Sequence, residues 1–149
     1  MSLDALPGWA RPLLDAERVA RLAFVDDEER PRVLPVTFAV SGDALWSAID
    51  DKPKRVAEPA RVRWLRRRPA AALLVDVYDD DWTRLAWVQL LGRVEVIGIG
   101  DGPEEGAASD ASDALAALAA KYEPYAERTP PGPLLRLTVE RTLHWRAAG

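Results

Sequence analysis

The sequence predicts a mainly β fold with peripheral helices, a small antiparallel barrel that is closed or split. Three observations predict it. The element pattern runs helix, three strands, helix, two strands, helix, strand, without the regular strand and helix alternation of a doubly wound sheet. The apolar stretch Leu85 to Ile99 is long for one strand and carries Gly92 in its middle, where a bend or bulge lets a sheet curl. Pro35 interrupts a second strand pattern and cannot donate to a ladder, so that segment belongs at an edge or bulge with backbone groups left over.

Taken in order, Leu14, Val19 and Leu22 recur at roughly helical spacing among charged residues, predicting a helix around 13–22. Leu22 to Val25 reads as a short strand stopped by the charged turn Asp26-Asp27-Glu28-Glu29-Arg30. Pro31 to Val40 is a second strand, with Val33, Pro35, Thr37 and Ala39 on one face and Leu34, Val36, Phe38 and Val40 on the other. Ser41-Gly42-Asp43 is a turn, returning Ala44 to Ile49 as a hairpin partner. Ala60 to Arg68 is a short helix ended by Pro69, and Ala71 to Tyr78 a strand stopped by Asp79-Asp80-Asp81. Gly98 to Asp110 is polar and reads as a loop. Asp110 to Tyr122 is an alanine-rich helix with Asp110 or Ser112 as its cap. Thr129-Pro130-Pro131-Gly132-Pro133 is a rigid spacer before a last strand, Leu134 to Trp145.

A chain of 149 residues with 48% hydrophobic content suits one domain, 1–149. No apolar stretch approaches the roughly 20 residues that cross a bilayer, and Met1-Ser2-Leu3-Asp4 lacks the opening of a signal peptide, so a cytoplasmic location is expected. The absence of cysteine excludes thiol catalysis and thiolate metal sites, and a single histidine, His144, argues against a histidine-built zinc site. A net charge of −4 and a pI near 5.1 argue against general nucleic-acid binding.

Positive charge is nevertheless concentrated. Between Asp50 and Pro69 the chain sets eight basic residues (Lys52, Lys54, Arg55, Arg61, Arg63, Arg66, Arg67, Arg68) against Asp50, Asp51 and Glu58. Such runs are usually solvated helix faces. This one ends a strand and leads into a short helix, a place where charged side chains and helix-start N–H groups hold phosphate. The other candidates read more simply. Trp64 and Trp145 are assigned to packing, Trp82 and the three aspartates to a solvated turn, and His144 to packing or a terminal hydrogen bond.

Three runs, Arg32 to Val40, Leu45 to Arg55 and Arg63 to Val75, followed by Gly92-Arg93-Val94-Glu95-Val96, resemble pyridoxamine 5′-phosphate oxidase-like split β-barrel proteins. The likeness runs in order along nearly the whole chain. The strand Pro35-Val36-Thr37-Phe38 is most similar to the probable F420-dependent branch, the flavin/deazaflavin oxidoreductases. The resemblance implies an FMN-binding split barrel that forms a homodimer with cofactor sites at the interface, acting on a small-molecule substrate. It implies a phosphate held by Lys52, Lys54 and Arg55, with Arg61 nearby, and a ring system along Pro35, Val36, Thr37, Trp46, Ser47 and Ala48. Trp87 and Gln89 would line the site, from the same or the partner subunit.

Oxidases of pyridoxamine 5′-phosphate carry further basic and histidine residues for a second phosphate, whereas only His144-Trp145-Arg146 stands near this C-terminus, so vitamin B6 oxidation is not expected. The expectation is hydride transfer between reduced coenzyme F420 and a small organic substrate, with no catalytic side chain assigned, because the cofactor ring carries the chemistry. Two alternatives stay open: an FMN-dependent oxidoreductase on the same scaffold, and a non-enzymatic protein that carries a flavin, haem or other anionic ligand.

Overall fold

The computed structural model describes residues 3–49, 58–98 and 105–148, with the side chains of 105–108 outside that description. Its helices are α1 (Ala10–Ala16), α2 (Ala60–Arg67), α3 (Glu105–Lys121) and α4 (Glu123–Glu127). Its strands are β1 (Ala20–Val25), β2 (Pro31–Val36), β3 (Ala39–Ser41), β4 (Ala44–Ala48), β5 (Ala70–Val77), β6 (Ala86–Ile97) and β7 (Leu134–Arg146). They form one antiparallel sheet in the order β2-β1-β5-β6-β7-β4-β3.

The first and last strands of that order, β2 and β3, are separated in the chain by Thr37 and Phe38 alone. The three steps from Val36 to Ala39 reach at most roughly 11 Å, so the two sheet edges must meet. The sheet is therefore curled into a split barrel, as the sequence predicts. Gly92 makes the curl possible on the other side. The β6–β7 register shifts between Leu91 and Gly92, and a Cβ at Gly92 would stand 1.9 Å from the Thr138 carbonyl oxygen. No side chain fits there.

Residues alternating along the strands fill the barrel: Leu22 and Phe24, Leu73 and Val75, Val88 and Leu90, Leu135 and Leu137, joined by Leu14 of α1 and by Val62 and Leu65 of α2. A second apolar cluster lies under α3, where Ala111, Ala114 and Leu118 cover Ala39, Ala44, Trp46, Ala48 and Leu134. Strand β4 is thus buried on both faces.

Several elements differ from the sequence expectation. The first helix ends at Ala16, and Glu17 is already extended, because Leu14 and Leu22 serve different structures, one capping the barrel and the other lining it, while Val19 is 41% exposed. The single strand expected over Pro31 to Val40 is two, β2 and β3, pairing at opposite edges. The polar stretch read as loop up to Asp110 is helical from Glu105, since a packed apolar face lets a weakly helical segment propagate. Asp110 and Ser112 consequently lie inside α3 and cap nothing. The short helix α4, with Pro124 in its first turn, lies between the expected helix and the Thr129–Pro133 spacer, in a stretch for which the sequence predicts no element. Trp145 is 46% exposed, against the packing role expected of it. Trp64 does pack, tilted against Phe24 at 6.1 Å and covered by the Arg32 guanidinium at 4.9 Å.

Candidate functional site

The site grows from the two residues that leave the sheet. Pro35 is paired with Arg21 on one side and lies in the edge strand, so its missing N–H costs no ladder bond on the open side. Beyond Val36 the ladder stops, and the Phe38 backbone is taken up instead by the Tyr122 hydroxyl. That hydroxyl accepts from the Phe38 N–H at 3.0 Å and shares its proton between the carbonyls of Arg18 (2.9 Å) and Phe38 (3.1 Å). Tyr125 places its hydroxyl 2.9 Å from Thr37 Oγ1. Beside this crossing is a cavity of about 240 Å³ lined by Arg18, Val19, Pro35, Val36, Thr37, Ala48 and Arg61.

The basic tract divides into engaged and free charges. Arg63 donates to the Glu58 carbonyl, Arg66 makes two bonds to the Glu58 carboxylate at 2.8 and 3.1 Å, Arg67 pairs with Asp27, and Arg68 donates to the Asp26 carbonyl. Arg61 differs. Among the described residues it has no partner, and its Nε is fully buried. A buried N–H left without an acceptor costs about 1–3 kcal/mol, which an anion entering the cavity would recover. Arg18, on the rim, donates to the Lys121 carbonyl and covers the Tyr122 ring at 5.4 Å.

Of the residues implicated by the sequence, Pro35, Val36, Thr37, Ala48 and Arg61 converge on this cavity. Lys52, Lys54 and Arg55 lie outside the described residues. Ala48 and Arg61, which flank that tract in sequence, both line the cavity. The Trp46 side chain turns the other way, beneath α3, with its indole N–H 3.3 Å from the Ser41 carbonyl and Arg136 stacked on it at 5.4 Å. Ser47 points into the barrel, its buried hydroxyl without a partner among the described residues. Trp87 and Gln89 alternate with the buried Val88 and Leu90 and therefore sit on the outer face of the sheet, in register with Trp145 and Leu143. Trp82 is 68% exposed in a turn held by Asp81, which accepts from the Thr83 N–H and hydroxyl.

The sequence reading missed Arg18, Lys121, Tyr122 and Tyr125. They come from the α1–β1 link and the α3–α4 junction, about a hundred residues apart in sequence, and no local pattern connects them. Half-buried, Lys121 donates to the Leu14 carbonyl at 3.0 Å and sits 3.5 Å from the centre of the Phe38 ring. Burial pulls its ammonium down to about 8, partly opposed by Asp15 and reinforced by Arg18. Burial raises Tyr122 above the usual phenol range, so the hydroxyl stays protonated.

The sequence matches the family described as pyridoxamine 5′-phosphate oxidase over residues 6–146. The chain belongs to that family. Among solved structures this family member is similar to an FAD-binding protein from Mesorhizobium loti, with 21% identity over 96% of each chain and a TM-score of 0.69. A conserved hypothetical protein from Mycobacterium tuberculosis aligns with 17% identity over 97% of this chain and 88% of the other, at a TM-score of 0.71. The haem storage protein from Vibrio cholerae gives 13% identity, 95% and 94% coverage and a TM-score of 0.68. At such identities the likeness establishes the fold. No curated protein matches the chain. No helix among the described residues is long and apolar enough to cross a membrane.

Proposed function

We propose that this protein is a homodimeric oxidoreductase that binds coenzyme F420 and uses it to reduce a small, electron-poor organic substrate in the cytoplasm. The observation that carries the reading is Arg61: alone among the described arginines of its tract it has no partner, and it faces a cavity walled by the broken strand. A phosphorylated cofactor with a flat polar ring matches that pairing of a free cation with an edge strand and a ladder gap. When bound, the deazaflavin supplies the hydride. Arg61 and Arg18 would hold the anionic end, together with Lys52, Lys54 and Arg55. Pro35, Val36 and Thr37 would support the ring, and the barrel wall would keep water from it.

A cavity of about 240 Å³ is smaller than the roughly 300–1,000 Å³ of a complete small-molecule site. One chain thus offers part of a site, which supports its completion by a second copy. The outer sheet face offers a surface for that copy: Leu74, Gln89 and Leu143 stand in one cross-strand row, and Trp87 and Trp145 in the next. Trp87 and Gln89 would reach the partner's cofactor from there.

An FMN-dependent reaction is the second reading, favoured by the similarity to an FAD-binding protein. Haem carriage has less support here, because the sole histidine, His144, lies edge-on to Trp9 at 5.8 Å and does not line the cavity. The test is to titrate the purified protein separately with F420 and FMN, following tryptophan quenching and the cofactor spectrum. Selective F420 binding is the expected result; selective FMN binding moves the protein to the flavin reading, and binding of neither overturns both. Sedimentation should give a dimer, and a monomer would remove the shared site.

A further inference from the structure

The two barrel-crossing residues, of which Thr37 walls the cavity, are held by side chains remote in sequence. Phe38 has neither a β2 nor a β3 ladder position, yet both its backbone groups are bonded, because the Tyr122 hydroxyl stands where a neighbouring strand would. The Thr37 hydroxyl, one residue earlier, meets Tyr125. The two tyrosines pack edge to face at 5.6 Å, and Arg18 and Lys121 flank Tyr122 at 5.4 and 5.5 Å.

We propose that the α3–α4 junction is a two-tyrosine clamp that positions the cofactor site: Tyr122 holds the Phe38 peptide, and Tyr125 sets the direction of the Thr37 hydroxyl on the cavity wall. Both are positioning residues, since neither lines the cavity. The physical argument is substitution of one hydroxyl for a missing strand. A peptide without ladder partners swings unless another group satisfies it, and a phenol on a packed ring does so while leaving the cavity side of the strand open. The inference rests on the cofactor reading above for what the site binds, and on the hydrogen bonds for how it is held.

The test uses Tyr122→Phe and Tyr125→Phe, which keep the packed rings, beside Leu115→Ala, which trims α3 in the same outer apolar cluster and removes no hydrogen bond to Thr37 or Phe38. Each variant is titrated with FMN and with F420, and amide hydrogen exchange is followed at Phe38. Tyr122→Phe is expected to speed Phe38 exchange and to weaken binding of the cofactor that the wild type takes by about three- to tenfold, the scale of one hydrogen bond. Tyr125→Phe should weaken binding less and leave Phe38 exchange as in the wild type. Leu115→Ala should lower the melting temperature without changing the affinity. Unchanged Phe38 exchange in Tyr122→Phe overturns the clamp whatever binds. Affinity that falls in all three variants in proportion to stability overturns positioning in favour of simple folding support. A wild type that binds neither cofactor refutes the cofactor reading itself and leaves the exchange result to decide whether the clamp exists.

Discussion

Strands β6 and β7 and the segment from Pro31 to Ser41 carry similar alternating apolar patterns, and the fold treats them in opposite ways. The first pair stays joined from Ala86–Arg146 to Ile97–Leu134 with a single bulge, its backbone groups used on one another. The second segment is cut at Thr37 and Phe38, and its halves pair at opposite edges of the sheet. The interrupted half leaves Thr37 and Phe38 outside the ladder, held by tyrosine side chains instead, and Arg61, unpartnered among the described residues, and the cavity are found there. The proposed cofactor site lies where the ladder stops.

The comparison is broken most severely at Gly92. In Gly92→Ala the new methyl would overlap the Thr138 carbonyl, which is backbone and cannot rotate aside, so the continuous half must open. A loss on the order of 4 kcal/mol or more is expected, read as a large drop in the denaturation midpoint or as failure to fold.

On the interrupted side, Arg61→Ala should weaken cofactor binding by about 1.5–3 kcal/mol, since it removes a charge-assisted bond, while stability holds or rises because a buried unsatisfied N–H is lost. Unchanged affinity would place the anion elsewhere.

Alkaline pH separates the halves through Lys121, which plugs the interrupted one. Its folded-state value, near 8, lies below the ordinary 10.5. The unfolded chain therefore binds more protons between those values, and stability should rise as pH goes from about 8 toward 10. Tyr122 acts in reverse, because its raised value keeps it protonated when unfolded tyrosine ionises, so stability should fall above about 10. Urea midpoints across this range should pass through a maximum, and Lys121→Met should abolish the rise.

The smallest effect is expected at Glu29, in the turn feeding β2. Its φ of 63° is a left-handed conformation that glycine tolerates better. Glu29→Gly should stabilise by about 0.5–1 kcal/mol, a small upward shift of the same midpoint; no shift would show that lost chain entropy offsets the relieved strain.

Much of the barrel was legible because its signals are local. Apolar runs bounded by turn signals mark β5 and β6, Gly92 announces the bulge, and Pro35 the edge. Which arginine is free was not legible, because Arg63, Arg66, Arg67 and Arg68 are chemically equivalent until Glu58, Asp26 and Asp27 fold against them. The extent of α3 was obscured for a related reason, its polar beginning being helical only by virtue of the packing further along.

By itself the sequence determined the fold class and the family, since periodicity, turn residues and ordered motifs are properties of short stretches. Tertiary structure alone decided that one apolar segment becomes two strands, that Trp46 serves the α3 interface, and that Tyr122 stands in for a strand. Each of these depends on contacts between residues far apart in sequence, whose energies exist only once the chain has closed on itself.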